Sequence, residues 1–439
     1  MNQHTRASRL ALRVAAPAVG VVAVLAGTYT AIAQTREPVT DWARRNAVPL
    51  RTVDPQAPLD DVAALRGSIG DAAIVGLGES THGAAEEEQL KLRTLRFLVE
   101  QLGYRTIAWE DDWTTGLKLD EYIRTGKGNL GTLVAQMSPQ WPSREVADVL
   151  RWLRDYNAGH ADKVRFFGVE SYLTGQLAYD EVKAYVAKVD PRRLSELRSH
   201  LRVIRPPTAD IFKYIGDFLK VDDKQSYVRH AREVRALVER LPHRPGDRGH
   251  AVALHNADQI VSFYEYYTMS EAGQFVYRDA YEARNLAWWR TFSGDKIVFW
   301  AASPHIANAP QLRITRQSQP DMRFASAGSY LRRWYGERYR AIGYTFDHGA
   351  ISGGPGVAVP MPPPRQEWFE QPLGKVGLDQ FALDLRRPAP PPVRTWLTAP
   401  IKTRGLPNEG PDAYMSGGTL AQWFDIVVHR QEVTPTQPV

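Results

Sequence analysis

Short apolar runs alternate along this chain with longer segments in which apolar residues recur at helical spacing. Residues 72–77 form a compact apolar run that leads into Gly-x-Gly, which predicts a buried strand. Residues 84–102 place several leucines on one helical face, and Gly103 follows where a helix commonly ends. A second short apolar run covers residues 106–109. This strand–helix–strand order predicts a parallel sheet with a crossover helix.

The same alternation continues to the end of the chain. Between about residues 179 and 292 it changes to a long series of helical periods. We therefore expect an α/β fold with a mixed, largely parallel central sheet flanked by helices and an inserted, mainly helical lobe. Further apolar runs predict strands at residues 164–169, 296–301, 339–346, 381–385 and 424–428.

These elements suggest one domain over residues 34–435. Its sheet core covers about 39–176 and 293–435, and its helical lobe covers about 177–292. Residues 436–439 are a tail, and we expect the whole stretch 434–439 to be loose because chain ends seldom bury much surface.

The first 33 residues have the pattern of an export signal. Three arginines precede an apolar run at residues 15–26, and Ala31-Ile32-Ala33 offers a small-x-small cleavage site. We expect a Sec-type signal peptide that is cleaved after Ala33, and an exported protein that is secreted or held in the cell envelope. An uncleaved anchor helix is the alternative, although the apolar run is short for a membrane span.

Composition and charge narrow the classes of function. The chain has 439 residues, of which 43% are hydrophobic, so it can bury a substantial core. Its net charge of +6 is spread along the sequence, which predicts no nucleic-acid partner, and membrane contact is expected only through the signal segment. The absence of cysteine excludes a thiol nucleophile, a disulfide framework and a lipoprotein anchor.

The stretch Gly76-Leu77-Gly78-Glu79-Ser80-Thr81-His82-Gly83 superficially suggests a nucleotide-binding loop. A dinucleotide fingerprint requires a third glycine three residues after the second, and Thr81 stands at that position. Glu79 is the first charged residue after the turn, and its carboxylate would repel a phosphate. The sequence therefore does not favour nucleotide binding here.

Glu79 and His82 lie in the loop between the first predicted strand and its helix. Open α/β sheets place their ligand crevice at this carboxyl edge. The positive end of the helix dipole opposes an imidazolium there, so His82 can accept a proton while an acid orients its ring. Glu110 closes the next predicted strand, and adjacent strands would bring it beside Glu79. This coincidence predicts a catalytic site of His82, Glu79 and Glu110.

A purely structural interpretation of the same stretch stays open. Ser80 or Thr81 would then be the N-cap of the helix, and the acids at residues 86–88 would be solvated in its first turns. We expect this structural role for Glu87 and Glu88, and a functional role for His82 with Glu79.

A metal site is a competing use of these residues. His82 and Glu86 are four residues apart, so an early helix start would place both on one helix face. His305, just past the strand predicted at residues 296–301, could supply a third zinc ligand. However, the chain has no His-Glu-x-x-His motif and no cysteine. We expect no metal and no cofactor.

The loop motif at residues 76–83 resembles the GxGE-x-[ST]-H signature of the erythromycin esterase family. The likeness covers nearly everything from about residue 39 to residue 435. Its weaker parts occur in the expected order, at residues 95–104, Glu110, 167–170, Arg278-Asp279, 285–286, 296–301, 346–349, 383–386 and 424–425.

The resemblance implies an α/β core, a helical lobe and a deep cleft between them, in which a lactone is hydrolysed. By that match, His82 is the general base for water, and Glu79 and Glu110 are active-site glutamates. Lys91 lies where the family's enzymes carry an arginine, which keeps the charge but loses the bidentate fork. Arg278 is the second candidate for stabilising substrate or developing charge.

The clearest departure from the family is at residue 302. The esterases read Trp/Val-Ala-His-Asn-x-His, whereas this chain reads Trp300-Ala301-Ala302-Ser303-Pro304-His305. The second histidine is kept as His305, which we expect to be a catalytic residue together with His82, Glu79 and Glu110, and the first is replaced by Ala302. A methyl group cannot donate to an oxyanion or pass a proton, and losing such a group costs a few powers of ten in rate.

Three functions remain open on this sequence. We expect an exported hydrolase that acts on an ester, a lactone or a related acyl bond of a small-molecule or peptide substrate. The alternative suggested by Ala302 is a tailoring enzyme of a secondary metabolite or exported peptide, with a non-hydrolytic reaction on the same scaffold. A non-catalytic ligand-binding protein of the envelope is the third.

Overall fold

The computed structural model describes residues 37–406 and 413–439, so the predicted signal peptide at residues 1–33 lies outside it. Thirteen strands run through the described part. They are β1 (Val48–Pro49), β2 (Ile74–Glu79), β3 (Tyr104–Asp112), β4 (Arg165–Glu170), β5 (Lys296–Ala302), β6 (Leu312–Ile314), β7 (Met322–Phe324), β8 (Tyr339–Ser352), β9 (Ala358–Met361), β10 (Gln380–Asp384), β11 (Pro400–Arg404), β12 (Tyr414–Thr419) and β13 (Ile426–Val433).

Helices connect these strands and cover both faces of the sheet. They are α1 (37–46), α2 (Asp60–Ala63), α3 (Arg66–Ile69), α4 (Ala85–Leu102), α5 (Trp113–Thr125), α6 (Leu130–Val134), α7 (Arg144–Gly159), α8 (Gln176–Val189), α9 (Leu194–Ile204), α10 (Ile211–Phe218), α11 (Lys224–Glu239), α12 (Arg248–Tyr266), α13 (Glu271–Ser293), α14 (Ser303–Ile306), α15 (Ala327–Tyr335), α16 (Pro391–Thr398) and α17 (Leu420–Trp423). Within the described ranges no helix is long and apolar enough to cross a membrane.

The central sheet has nine strands, in the order β1-β10-β13-β8-β2-β5-β3-β4, with β9 paired to β8. All neighbours from β13 to β4 are parallel. This confirms the predicted α/β fold with a mixed, largely parallel sheet. A second, antiparallel sheet in the order β11-β12-β6-β7 does not follow from the sequence pattern.

One part of the predicted strand order is wrong. The strand that carries Glu110 follows β2 in the chain, but it is not the neighbour of β2 in the sheet. β5 lies between them, since Ile74 pairs with Ile297 and Ile107 pairs with Val298. The crossover from β2 through α4 to β3 therefore skips one position in the sheet. β5, which follows the long helical segment in the chain, occupies that position.

The parallel strands are apolar throughout because successive side chains point to opposite faces of the sheet and both faces are covered. In β2, Ile74 contributes to the core on one face of the sheet, and Val75 contributes to the core on the other. Both faces are covered by helices, so every residue of β2 is buried. Helix α4 packs on the second face and ends at Gly103, whose φ of 71° is the left-handed conformation expected of a C-terminal glycine.

Six helices, α8 to α13, lie between β4 and β5 in the chain. The first five share an apolar core of their own, which includes Tyr179, Val186 and Phe263. The last helix, α13, instead contributes Ala283 and Leu286 to the core of the sheet. Helix α13 therefore connects the helical segment to the sheet, and its side chains can reach the edge of the sheet.

The chain end is not a loose tail, contrary to the sequence-based expectation. Thr434 accepts a hydrogen bond from the amide of Ala85 at 2.9 Å, and the amide of Thr436 donates to Gly83 at 3.0 Å. Gln437 is bound through its amide to Glu145 at 3.0 Å. These bonds attach the segment to the loop that contains His82.

We predict that Gly168→Ala destabilises the protein. Gly168 lies where β4 passes under the start of α5, and an added Cβ would overlap the carbonyl oxygen of Asp112. The backbone would have to move, at a cost of about 1–3 kcal/mol in the free energy of unfolding. Thermal or urea unfolding measures this change. Gly159→Ala is the matched control, since its Cβ meets no atom within 4 Å. Equal stability of the two variants would contradict the packing described.

Candidate active site

The predicted site residues meet at the carboxyl edge of the central sheet. Glu79 ends β2, Ala302 ends β5, and Glu110 and Glu170 lie at the ends of β3 and β4. Glu79 and Ala302 are register partners. Because β5 lies between the other two strands, Ala302 stands between the two glutamates that the sequence placed side by side.

Glu79 is fully buried and receives two side chains. Its Oε1 atom lies 2.9 Å from Nδ1 of His82, and its Oε2 atom contacts Nζ of Lys91. Lys91 is also fully buried, and its ammonium group lies 4.2 Å from the centre of the Trp300 ring. Burial lowers the pKa of Lys91, and Glu110 opposes that change. The carboxylate of Glu79 is thus shared between the side-chain nitrogen of Lys91 and the imidazole ring of His82.

His82 is the partly exposed member of this group, with 27% of its side chain accessible. Its ring packs edge-on against Trp141 at 4.7 Å between centroids. Burial lowers the pKa of His82 below its ordinary value, although Glu110 and Glu88 oppose the change. When Nδ1 of a neutral ring donates a hydrogen bond to Glu79, the lone pair of Nε2 stays free.

Glu110 is buried and has a partner at each oxygen. Its Oε1 atom accepts from Nη2 of Arg278 at 2.8 Å and lies 3.2 Å from Nε2 of His305. Its Oε2 atom accepts the backbone amide of Ala302 at 2.7 Å. Burial raises the pKa of Glu110, but His305, then His82 and Arg278, hold it well below the usual range. Glu110 is therefore an ionised, immobile acceptor.

His305 is buried between acids on both sides of its ring. Its Nδ1 atom lies 3.1 Å from Asp279 and 3.6 Å from Glu282, and its Nε2 atom faces Glu110. Burial alone lowers the pKa of His305, but these three carboxyl groups raise it well above its ordinary value. His305 is an imidazolium with both nitrogens occupied, so it acts on the site through Glu110.

Arg278 links the sheet to α13. It lies against Glu110, Glu170 and Glu282, and 20% of its side chain is accessible. Its guanidinium group also lies 5.5 Å from the centre of the Tyr172 ring. Arg278 is held in place by three glutamates and is more exposed to solvent than His305, the other cation beside Glu110.

The sequence-based site set lacks several residues that the fold brings here. Glu170 was noted only as a motif residue, and Asp279, Glu282 and Trp141 were not proposed as site residues. The available signals were that Glu170 directly follows a predicted strand and that Glu282 follows Arg278 by four residues, which is helical spacing. No pattern near Trp141 indicates that it packs against His82.

The acids after His82 have different positions from those predicted. Helix α4 begins at Ala85 with Ala84 as N-cap and no side-chain cap, so Ser80 and Thr81 do not cap it. Glu86 binds the amide and hydroxyl of Thr434, at 2.7 and 2.9 Å. It therefore does not share a helix face with His82, and the proposed His82–Glu86 metal pair is wrong.

Glu87 and Glu88 are buried, and the expectation that they are solvated is wrong. Glu87 accepts the amide and hydroxyl of Ser80, at 3.2 and 2.9 Å. Burial raises the pKa of each to about 8. Within the described residues, Oε2 of Glu88 has no hydrogen-bond partner. Both side chains therefore bind a proton at neutral pH.

Two groups of side chains have the spacing that a cation requires. One is Glu79, His82 and Glu110, and the other is Asp279, Glu282 and His305; in each, one ligand atom per residue lies within 4.8 Å of the others. In both groups the acids already contact Lys91, Arg278 or the His305 imidazolium. A cation would have to displace these contacts, so the geometry does not require one. The expectation of no metal stays a prediction.

A cavity of about 930 Å³ opens beside His82. Its lining comes from four further parts of the chain: the loop before α7, the turn between β8 and β9, Leu406 after β11, and residues 435–438. The lining residues include Pro139, Gln140, Ile351, Val357, Pro435 and Gln437. The volume suits a small-molecule ligand.

The chain is similar to proteins of one known family. A family model described as Erythromycin esterase matches residues 99–433, more than half of the chain. "Erythromycin esterase type II" of Escherichia coli is 30% identical over 130 residues, or 30% of this chain and 31% of that protein. "Putative hydrolase YbfO" of Bacillus subtilis (strain 168) is 24% identical over 341 residues, or 71% of this chain and 72% of that protein. The resemblance inferred from the sequence is confirmed, and the family supports a hydrolase.

Solved structures share the fold. A protein from Bacillus cereus has a TM-score of 0.79 at 28% identity, covering 92% of this chain and 99% of that chain. A mutant erythromycin esterase in its open conformation has a TM-score of 0.67 at 17% identity, covering 88% of this chain and 97% of that chain. The second likeness is evidence of the fold alone.

Glu87→Gln should reduce the loss of stability at high pH. Since the pKa of Glu87 is raised to about 8, its contribution to stability is present in acid and is lost as pH rises through about 8. The melting temperature of the variant should therefore fall less than that of the wild type between about pH 5 and about pH 9. Glu100→Gln on the same helix is the control. If the melting temperatures of Glu87→Gln and wild type fall by the same amount over this pH range, the burial of this acid would be contradicted.

Proposed function

This chain belongs to the erythromycin esterase family, and we propose that it is a hydrolase in which His82 activates water against an ester, a lactone or a related acyl bond. One observation carries the proposal. Nδ1 of His82 is bound to buried Glu79, while the ring itself remains partly exposed beside a cavity of about 930 Å³. A general base must combine a fixed ring with access to the substrate.

The chemistry follows from the arrangement of that pair. A water molecule gives a proton to Nε2 of His82 as its oxygen forms a bond to the acyl carbon. Glu79 stabilises the imidazolium that results, since its carboxylate accepts from Nδ1. The imidazolium then returns the proton to the departing oxygen as the acyl–oxygen bond breaks. The acid and alcohol products together contain the atoms of the ester and one water.

Charge in the transition state calls for a cation that substrate can approach. Arg278 is the candidate for this role because it is partly exposed, whereas Lys91 is fully buried. Arg278 does not line the cavity of about 930 Å³ itself but contacts Glu110 beside it. In this proposal Lys91 acts through Glu79, and His305 acts through Glu110, as positioning residues. These contacts hold the two carboxylates in place, so that little reorganisation accompanies the reaction.

Ala302 favours one second candidate, a tailoring enzyme with a non-hydrolytic reaction. Ala302 lies between Glu79 and Glu110, at the position where the family resemblance implies a histidine. The two candidates differ in the mass of the product. Addition of water supports hydrolysis, and loss of water or an unchanged mass supports the tailoring reaction.

Export is a further part of the proposal. It is supported by the arginines, the apolar run and the Ala-x-Ala site within residues 1–33. Fractionation of the producing cells, followed by N-terminal sequencing, should find the protein outside the cytoplasmic membrane and beginning at Gln34. Full-length protein in the cytoplasm would contradict it.

We predict that His82→Ala lowers kcat by about 10²- to 10⁴-fold with a smaller effect on KM, because it removes the base but little of the cavity. Glu79→Gln should lower kcat as well, since an amide stabilises imidazolium less than a carboxylate does. Hydrolysis of a panel of p-nitrophenyl esters and lactones measures both effects. His160→Ala, an exposed histidine at the end of α7, is the matched control. Equal rates for wild type and His82→Ala would overturn the assignment of the base.

A further inference from the structure

The C-terminal segment, defined as residues 434–438, is bound to the loop that carries His82. The amide and hydroxyl of Thr434 donate to the two oxygens of Glu86 at 2.7 and 2.9 Å. Pro435 forms an antiparallel bridge with Ala84. The carbonyl oxygen of Gly83 accepts the amides of both Thr436, at 3.0 Å, and Ser352, at 2.9 Å. The residue directly after His82 is thus held from two sides.

The same segment is bound to the second support of His82. Gln437 donates its amide to Glu145 at 3.0 Å and accepts the amide of Arg144 at 2.7 Å. Both partners begin α7, directly after the turn that contains Trp141. Trp141 contacts the His82 ring and donates its Nε1 proton to the carbonyl of Glu110 at 2.7 Å. The segment therefore joins the loop of His82 to the turn that packs against its ring.

The C-terminal segment also faces the cavity beside His82. Four of its residues, 435–438, are part of the lining. The described lining carries no Asp, Glu, Lys or Arg side chain. Apart from His82, its members are apolar residues, glycines and neutral polar residues: Thr81, Gly83, Pro139, Gln140, Pro142, residues 351–359, Leu406 and residues 435–438.

We propose that the C-terminal segment is a substrate-binding wall that positions the His82 loop and selects an uncharged, largely apolar portion of the substrate. Transfer of a charged group into such a cavity would remove its hydration without supplying an ion partner. An apolar group would instead gain contacts with the proline and valine side chains. This inference rests on the proposed function for the reaction at His82. The binding of a ligand in the cavity can still be measured without any turnover.

Binding of three eight-carbon ligands tests the selectivity: octanamide, octanoate and octylammonium. Calorimetry on the purified mature chain should show that octanamide binds at least about tenfold more tightly than either charged ligand. A chain that ends at Val433 should bind octanamide about tenfold more weakly and should lose most of the preference. Equal binding of the three ligands by the wild type, or unchanged binding by the shortened chain, would overturn the proposal.

Glu86→Ala tests the positioning role even if the shortened chain does not fold. It removes the acceptor for Thr434 without changing the lining, and Glu100→Ala on the same helix is the matched control. Glu86→Ala should lower kcat/KM for p-nitrophenyl octanoate more than for p-nitrophenyl acetate and should weaken octanamide binding. Values equal to those of Glu100→Ala would overturn it. If the wild type hydrolyses no ester but ranks the ligands as expected, the proposed function fails and the binding wall stands.

Discussion

A carboxylate buried at the end of a central strand must be paired, and this requirement at Glu79 organises the candidate site. The group is fully buried, so it needs partners to replace the water that it loses on folding. Lys91 supplies its side-chain nitrogen from α4, and His82 supplies a ring nitrogen from the intervening loop. The loop can present His82 to the cavity because Glu79 fixes one ring nitrogen, Trp141 packs against the ring, and the C-terminal segment holds the following residue.

Much of the fold follows from local patterns in the sequence. The β2–α4–β3 unit, its parallel strands and the glycine that ends α4 are readable because each depends on residues close together in the chain. The position of β5 between β2 and β3 is not, since it is set by pairing between segments that are about two hundred residues apart. Neither can the second sheet be read, because two of its strands, β6 and β7, have only three residues each and its pairings join distant segments.

The residues of the candidate site likewise fall into those that local sequence patterns predict and those that only the fold brings together. Glu79, His82 and Glu110 can be predicted because each lies at, or within a few residues after, the carboxyl end of a predicted strand, and these ends converge in a parallel sheet. Glu170, Asp279 and Glu282 join them through Arg278 and His305, which are contacts between distant segments. The burial of Glu87 and Glu88 likewise depends on what packs over α4. A helical pattern alone does not reveal it, since acids in a first turn are commonly solvated.

The protonation state of His82 tests the central claim most directly. NMR of protein with ¹⁵N-labelled histidine rings reports which ring nitrogen carries a proton, and the His82 signal is the one missing from His82→Ala. Near neutral pH, a neutral ring with a proton on Nδ1 and none on Nε2 is the expected result, together with loss of that preference in Glu79→Ala. An imidazolium, or a neutral ring with its proton on Nε2, would contradict the role given to Glu79.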